Sequence, residues 1–126
     1  MSKTVLITGG AGFIGHHIIK YFLSNTDWNL ISLDRLDFSG NLNRLSKVVN
    51  EETKNRVKVI FHDLKAEISD CVAEEIGNVD IIIHTAAGSH VDRSIDDPLS
   101  FVMDNVVGTT NILNFARRFP NLERFI

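Results

Sequence analysis

Short, nearly all-apolar runs that alternate with helical patterns predict an α/β fold, a doubly wound parallel sheet covered by helices on both faces. Two further observations mark its ligand end. The first run, Thr4-Val5-Leu6-Ile7, leads directly into Thr8-Gly9-Gly10-Ala11-Gly12-Phe13-Ile14-Gly15, which sets Gly9, Gly12 and Gly15 at a strand-to-helix turn. The second run ends in an acid, Asp34. Right-handed crossovers give the strand order 3-2-1-4, with a fifth strand just begun beside the fourth, as in the N-terminal portion of a Rossmann-type domain.

Each element has its own signal. Thr4–Thr8 is the first strand, and 13–24 a helix with Phe13, Ile14, Ile18, Phe22 and Leu23 on one stripe. Asn29–Leu33 is the second strand. A short helix over 42–49 and a third strand over Val57–Phe61 follow. A helix over 67–76 is stopped by Gly77-Asn78, and 79–84 is the fourth strand. Asp97-Pro98 reads as an N-cap with proline at the first helical position, opening a long helix to about Phe119 before Pro120 breaks it. On that helix Phe101, Val102, Val106, Ile112, Leu113 and Ala116 are expected to be mostly core. Gly108 suggests close packing against a neighbouring backbone, since glycine costs about 1 kcal/mol relative to alanine there. Arg124-Phe125-Ile126 begins a fifth strand. The least structured stretch is 35–41, with Gly40-Asn41 as a turn signal.

The 126 residues suffice for one domain with a real core and are too few for two. Ending inside a strand leaves a poorly covered sheet edge, so the chain reads as the N-terminal part of a longer protein, with a naturally short domain as the alternative. At 44% hydrophobic and 23% charged, the composition is that of an ordinary globular protein. A net charge of −3 gives no electrostatic reason to expect nucleic acid or an anionic membrane as partner. The single Cys71 excludes an internal disulfide and fits a reducing compartment. The N-terminus resembles neither signal peptide nor membrane span, which makes the cytoplasm the default location.

The glycine turn is where a dinucleotide pyrophosphate can be held. Gly9 allows the tight turn, Gly12 lets the backbone approach the phosphates, and Gly15 lets the helix pack close to the strand. The helix then points its free N–H groups and positive dipole end at the anion. Asp34 can accept both ribose hydroxyls of the adenosine half and would repel a 2′-phosphate, which favours NAD over NADP. Arg35 complicates that choice, because a guanidinium can receive a 2′-phosphate. Asp63, in the loop after the third strand, either accepts from the adenine amine or is a solvated turn residue.

The fourth strand opens into Thr85-Ala86-Ala87-Gly88-Ser89-His90-Val91-Asp92-Arg93-Ser94. The loops after strands one and four flank the topological switch point, so this segment shares a crevice with the glycine turn. Ser89, His90 and Arg93 are candidates to line its substrate side. A hydrogen-bonded loop histidine and a structural ion pair are the alternatives for His90 and Arg93. Asn105 is expected to hold this loop by hydrogen bonds. His62, His84 and His90 match no metal-ligand spacing. His16 and His17 are surface or packing residues, and Cys71 has no neighbouring base that would make it a nucleophile.

Together with Leu33-Asp34-Arg35-Leu36-Asp37-Phe38-Ser39-Gly40-Asn41, His84-Thr85-Ala86-Ala87-Gly88-Ser89-His90-Val91-Asp92-Arg93-Ser94-Ile95 and Asn105-Val106-Val107-Gly108-Thr109, the glycine turn resembles the NAD-dependent epimerase/dehydratase family of extended short-chain dehydrogenases/reductases, most closely its nucleotide-sugar 4,6-dehydratases. The resemblance covers essentially the whole chain. It implies pyrophosphate contacts from Phe13 and Ile14, adenosine contacts from Asp34 and its neighbour Arg35, and adenine contacts from Asp63 and Leu64. Thr85, Ala86, Ala87 and Ser89 would lie along the nicotinamide half, with Ser89 also facing a sugar nucleotide such as dTDP-glucose.

In the complete family enzyme NAD+ removes hydride from the sugar C4 while a tyrosine takes the hydroxyl proton. Water is lost across C5–C6, and the hydride returns to C6. The resemblance also implies a homodimer built in part on the long helix. Gly88 stands where the dehydratases usually carry Glu, Asp104 where they carry Thr, and His16 where they carry Ser. The family's Tyr-x-x-x-Lys pair and Thr-Asp-Glu segment lie downstream of the fifth strand. Tyr21 is the only tyrosine and has no lysine four residues on. No catalytic residue is therefore expected in this chain. A UDP-sugar 4-epimerase or decarboxylase and a non-catalytic NAD-binding fragment are the alternatives.

Overall fold

β1 (Thr4–Thr8) runs through the middle of a five-stranded sheet in the order β3-β2-β1-β4-β5, with every pair parallel. The computed structural model describes residues 2–37 and 40–126, so the expectations on Phe38 and Ser39 lie outside the described residues. β2 (Asn29–Asp34) pairs with β1 from Thr4↔Asn29 to Thr8↔Leu33, and β4 (Ile81–His84) pairs on its other side from Val5↔Ile81 to Thr8↔His84. β3 (Val57–Phe61) adds beyond β2. β5 (Arg124–Phe125) adds beyond β4 through Ile81↔Arg124 and Ile82↔Phe125.

Consecutive strand residues face opposite ways, so a strand covered on both sides must be apolar throughout. Val5, Leu6 and Ile7 accordingly have no exposed surface. Leu6, Ile31, Leu33, Ile60 and Ile82 face one core, closed by Ile76, Ile112 and Phe115. Val5, Ile7 and Leu30 face the other, closed by Ile19, Leu23 and Leu45.

α1 (Phe13–Asn25) contributes Ile19 and Leu23 to that second core. Phe13 and Ile14, placed on its apolar stripe by the sequence, are 69% and 65% exposed. Both line an apolar groove with Ile18, Tyr21, Phe22 and Ile83 instead of entering the core. α2 (Leu42–Val48) matches its expected span and is capped by Asn41, whose side chain accepts from Asn43 N. α3 (Asp70–Ile76) starts later than its sequence pattern because Ser69 caps it, with Oγ accepting from Val72 N. β4 likewise starts later, and Val79 is a buried residue ahead of it.

The segment after β4 departs most from expectation. A short helix α4 (Val91–Asp96) precedes the Asp97 N-cap, whose carboxylate accepts from Ser100 N as the Asp-Pro signal predicts. The long helix is three pieces, α5 (Pro98–Val102), a π-helical turn (Met103–Val107) and α6 (Gly108–Ala116). Its expected core stripe holds in part. Ile112 is buried and Ala116 packs against the core, but Val102, Val106 and Leu113 are exposed, and Gly108 and Phe115 are buried in their place. The inward face is partly polar because it bonds to the loops beneath it, through Asp104 to Arg35, Thr109 to His84 and Asn111 to the Leu64 carbonyl. Gly108 meets no backbone closely; a Cβ there would sit 3.5 Å from Leu64 Cβ, an ordinary contact.

Candidate functional site

A crevice of about 700 Å³ opens at the C-terminal ends of the strands, as the switch-point rule requires. Every residue singled out from the sequence for cofactor or substrate lines it. Gly9, Gly12, Phe13, Ile14 and Gly15 come from the turn after β1, and Asp34 and Arg35 from the end of β2. Asp63 and Leu64 follow β3, and Thr85, Ala86, Ala87, Ser89, His90 and Arg93 follow β4.

The turn after β1 is shaped by what its glycines exclude. Gly9 has φ +70°, and a Cβ there would lie 2.9 Å from Ala86 N, so the turn rests directly on the loop after β4. A Cβ on Gly15 would lie 2.1 Å from the Gly9 carbonyl oxygen, which places α1 hard against the turn. Gly12 caps α1 without a side-chain hydrogen bond. The first-turn N–H groups therefore have neither a side-chain cap nor an intrahelical acceptor, and they face the crevice with the positive end of the helix dipole. Gly10 has a role the sequence reading missed, since a Cβ there would lie 2.2 Å from Ser32 Oγ on β2.

Asp34 is 8% exposed and held from two sides. Its Oδ2 accepts from Ala11 N at 3.2 Å and its Oδ1 from Leu36 N at 2.7 Å. Leu36 reaches that position at φ +56°, a left-handed conformation that a leucine adopts only under such local constraint. Gly40 closes over the same group, where a Cβ would lie 2.6 Å from Asp34 Oδ1. The carboxylate is thus oriented in advance at the wall of the crevice.

Beside it Arg35 is surrounded by acids. Its Nη1 and Nη2 donate to both oxygens of Asp104 at 2.6 and 3.0 Å, and its Nε donates to Asp37 at 2.6 Å. Asp63 lies 3.9 Å from Nη1. Asp37, Gly40, Arg44, His62, Lys65 and Asp104 also line the crevice, and the sequence reading assigned none of them to it.

The loop after β4 is tied to β1. The Thr85 hydroxyl donates to the Thr8 carbonyl at 2.6 Å, and Ala86 N donates to Thr8 Oγ1 at 3.2 Å. Thr8 Oγ1 lies 2.6 Å from His84 Nδ1, and His84 Nε2 lies 3.0 Å from Thr109 Oγ1. Burial pushes the His84 imidazole below its usual pKa and keeps it neutral. Each threonine hydroxyl can give or take a bond, so either neutral tautomer of His84 satisfies both of its ring nitrogens.

A histidine with a depressed folded pKa stabilises the fold above its unfolded pKa of about 6.5. That contribution falls as pH drops below that value, because only the unfolded chain takes up the proton freely. Melting temperatures measured between about pH 7.5 and 5.5 should therefore fall more steeply in the wild type than in His84→Gln.

Asn105 holds the loop after β4 as the sequence suggested. Its Oδ1 accepts from Gly88 N at 2.7 Å and its Nδ2 donates to Gly88 O at 3.0 Å. Asn105→Ala removes both bonds and should cost about 1 kcal/mol in a denaturant titration, because the pair is exposed to water. Ser89, His90 and Arg93 line the crevice from the loop after β4 and from α4, with His90 at the N-terminus of α4.

His16 Nδ1 pairs with the Gly12 carbonyl at 2.8 Å, and its ring packs on Phe13 and His17. Among the described residues no group of three histidine, cysteine or acidic side chains is placed to hold a metal ion. Nor is any described helix long and apolar enough to cross a membrane. Cys71 is exposed on α3.

The chain is similar to known proteins in sequence and in fold. A model of the family described as GDP-mannose 4,6 dehydratase matches residues 6–126. A dTDP-glucose 4,6-dehydratase of Escherichia coli is 40% identical over 121 residues, which covers 91% of this chain and 31% of that protein. Among solved structures, the dTDP-glucose 4,6-dehydratase DesIV of Streptomyces venezuelae, a double mutant with NAD bound, superposes with a TM-score of 0.82 at 35% identity. That match covers 96% of this chain and 37% of that one. A UDP-Glc/GlcNAc 4-epimerase of Campylobacter jejuni superposes with a TM-score of 0.81 at 31% identity, over 95% of this chain and 35% of that one. The chain thus spans about a third of the length of the relatives it matches.

Proposed function

The chain belongs to the family described as GDP-mannose 4,6 dehydratase, and from that premise we propose that it is the NAD-binding part of a nucleotide-sugar 4,6-dehydratase acting on dTDP-glucose or a similar sugar nucleotide. One observation carries the cofactor assignment. The Asp34 carboxylate, oriented by Ala11 N and Leu36 N, stands beside a glycine turn whose Gly9 and Gly15 leave no room for a side chain. That pairing suits a diphosphate bridging to a ribose with two free hydroxyls.

NAD, when bound, supplies the hydride acceptor. The chain's own residues bind and orient it. The N–H groups at Phe13, Ile14 and Gly15 would receive the pyrophosphate, and Asp34 would accept the adenosine ribose hydroxyls. Asp63 and Leu64 would line the adenine side. Thr85 and Ala86, bonded to Thr8, would with Ala87 line the nicotinamide half, and Ser89, His90 and Arg93 would face the sugar nucleotide. None of these side chains removes the C4 hydroxyl proton in this reading. The catalytic tyrosine and lysine belong to a segment outside these 126 residues, and so does the sugar-nucleotide domain.

The exposed apolar residues Val91, Ile95, Leu99, Val102, Val106 and Leu113 on α4 to α6 support a homodimer interface on that face. The lone Cys71 supports a cytoplasmic location.

The UDP-sugar 4-epimerase reading is favoured by the similarity to the C. jejuni enzyme. Incubating the protein at its full natural length with dTDP-glucose separates the two. The dehydratase reading predicts a product lighter by one water and bearing a 4-keto group, and an isomer of equal mass would favour the epimerase. The 126 residues alone should bind NAD and turn nothing over. Turnover by this chain would overturn the assignment of the catalytic groups elsewhere.

A further inference from the structure

The crevice contains a cation that the NAD reading does not use. Arg35 follows Asp34 directly and reaches the adenosine end, where its guanidinium would be the natural partner of a ribose 2′-phosphate. Both of its Nη atoms are instead bonded to Asp104, at 2.6 and 3.0 Å, in the fork-to-fork geometry that makes arginine–carboxylate pairs strong and directional. Nε is bonded to Asp37, so each guanidinium nitrogen already has a carboxylate partner.

The second partner comes from far along the chain. Asp104 lies in the π-helical turn between α5 and α6, and its side chain is only 10% exposed. Single-turn π insertions in α-helices concentrate at functional sites. Gly88 sits against the Phe101 ring, where a Cβ would lie only 2.8 Å away, while Asp104 Oδ2 would be 3.4 Å from it, an ordinary contact. Two other cations lining the crevice are engaged as well. Arg44 donates to the Ala11 carbonyl, and Lys65 lies 3.6 Å from Asp63.

We infer that Asp104 is a cofactor-specificity residue, which occupies both Nη atoms of Arg35 and so withholds the guanidinium from a 2′-phosphate. Asp34 repels the phosphate directly, and Asp104 removes the cation that would otherwise offset that repulsion. Hydrogen bonding and Coulomb attraction from Asp104 raise the Arg35 pKa, which agrees with a guanidinium committed to its carboxylate partner. The inference rests on the dinucleotide reading of the crevice, and it concerns a position at which the resembled dehydratases carry no acid.

The test compares NAD and NADP affinities by calorimetric titration of the wild type, Asp104→Ala, Asp104→Glu and the double variant Arg35→Ala/Asp104→Ala. Circular dichroism checks that each is folded. Asp104→Ala should tighten NADP binding about ten-fold or more relative to NAD, the size of one charge-assisted arginine–phosphate contact. Asp104→Glu should keep the wild-type ratio, and the double variant should return to it. A ratio unchanged in Asp104→Ala would overturn the inference, as would an equal weakening of both dinucleotides, which marks a merely structural pair. A gain that persists without Arg35 would also overturn it. A wild type that binds neither dinucleotide would overturn the cofactor reading itself, a result distinct from an unchanged ratio.

Discussion

Gly15→Ala is expected to abolish dinucleotide binding and to destabilise the fold. The added methyl would lie 2.1 Å from the Gly9 carbonyl oxygen and 2.8 Å from Gly10 Cα. Both neighbours are backbone, so no rotamer change relieves the clash and α1 must move away from the turn. Overpacking of this kind costs about 1–3 kcal/mol. Displacement of the helix N-terminus also removes N–H groups and dipole from the anion, so NAD affinity should fall at least about 100-fold. A urea titration and a calorimetric titration read the two effects. Gly108→Ala is the control, because its methyl meets only an ordinary contact with Leu64. Relief of the helical glycine should leave that variant unchanged or more stable by up to about 1 kcal/mol. Equal behaviour of the two variants would refute the packing account of the turn.

Asp34→Ala is the second large effect. It strands the N–H groups of Ala11 and Leu36, each now satisfied by one carboxylate oxygen, at about 1–3 kcal/mol for each that remains buried. It also removes the acceptor for two ribose hydroxyls, whose bonds to a charged group are worth about 1.5–3 kcal/mol each. NAD affinity should therefore fall about 100-fold, while NADP loses little because the repelling charge is gone too. Asp34→Asn is not a benign replacement here. Both oxygens accept from backbone N–H groups, so the amide turns a donor towards one of them. Its stability should lie between the wild type and the alanine variant. An Asp34→Ala protein that keeps both its stability and its preference for NAD would contradict the role assigned to this carboxylate.

The parts of the site legible in the sequence are those whose partners are close in the chain or set by topology. The glycine turn, the acid ending β2 and the small-residue loop after β4 announce themselves because strand order alone brings them to one crevice. Gly10 and Gly40 were not legible as site-shaping residues. Their neighbours, Ser32 Oγ and Asp34 Oδ1, are met only once the strands and the following loop are in place. Asp104 was illegible for the same reason, since it meets Arg35 across 69 residues of sequence.

Phase errors have a physical cause as well. The apolar stripe at Val102, Val106 and Leu113 is real, but it faces outward, while the inward face carries the polar residues that hold the loops. Hydrophobic periodicity locates a helix reliably and identifies its buried face only when the face beneath is apolar. α4 escaped notice because His90 supplies no side-chain cap, whereas Asp97 does.

The central claim is that this crevice holds NAD and discriminates against NADP. Isothermal titration of the purified chain with each dinucleotide tests it directly. Saturable binding of one NAD per chain, clearly tighter than NADP, is the predicted result. Absence of saturable NAD binding, or equal affinities for the two, would contradict it.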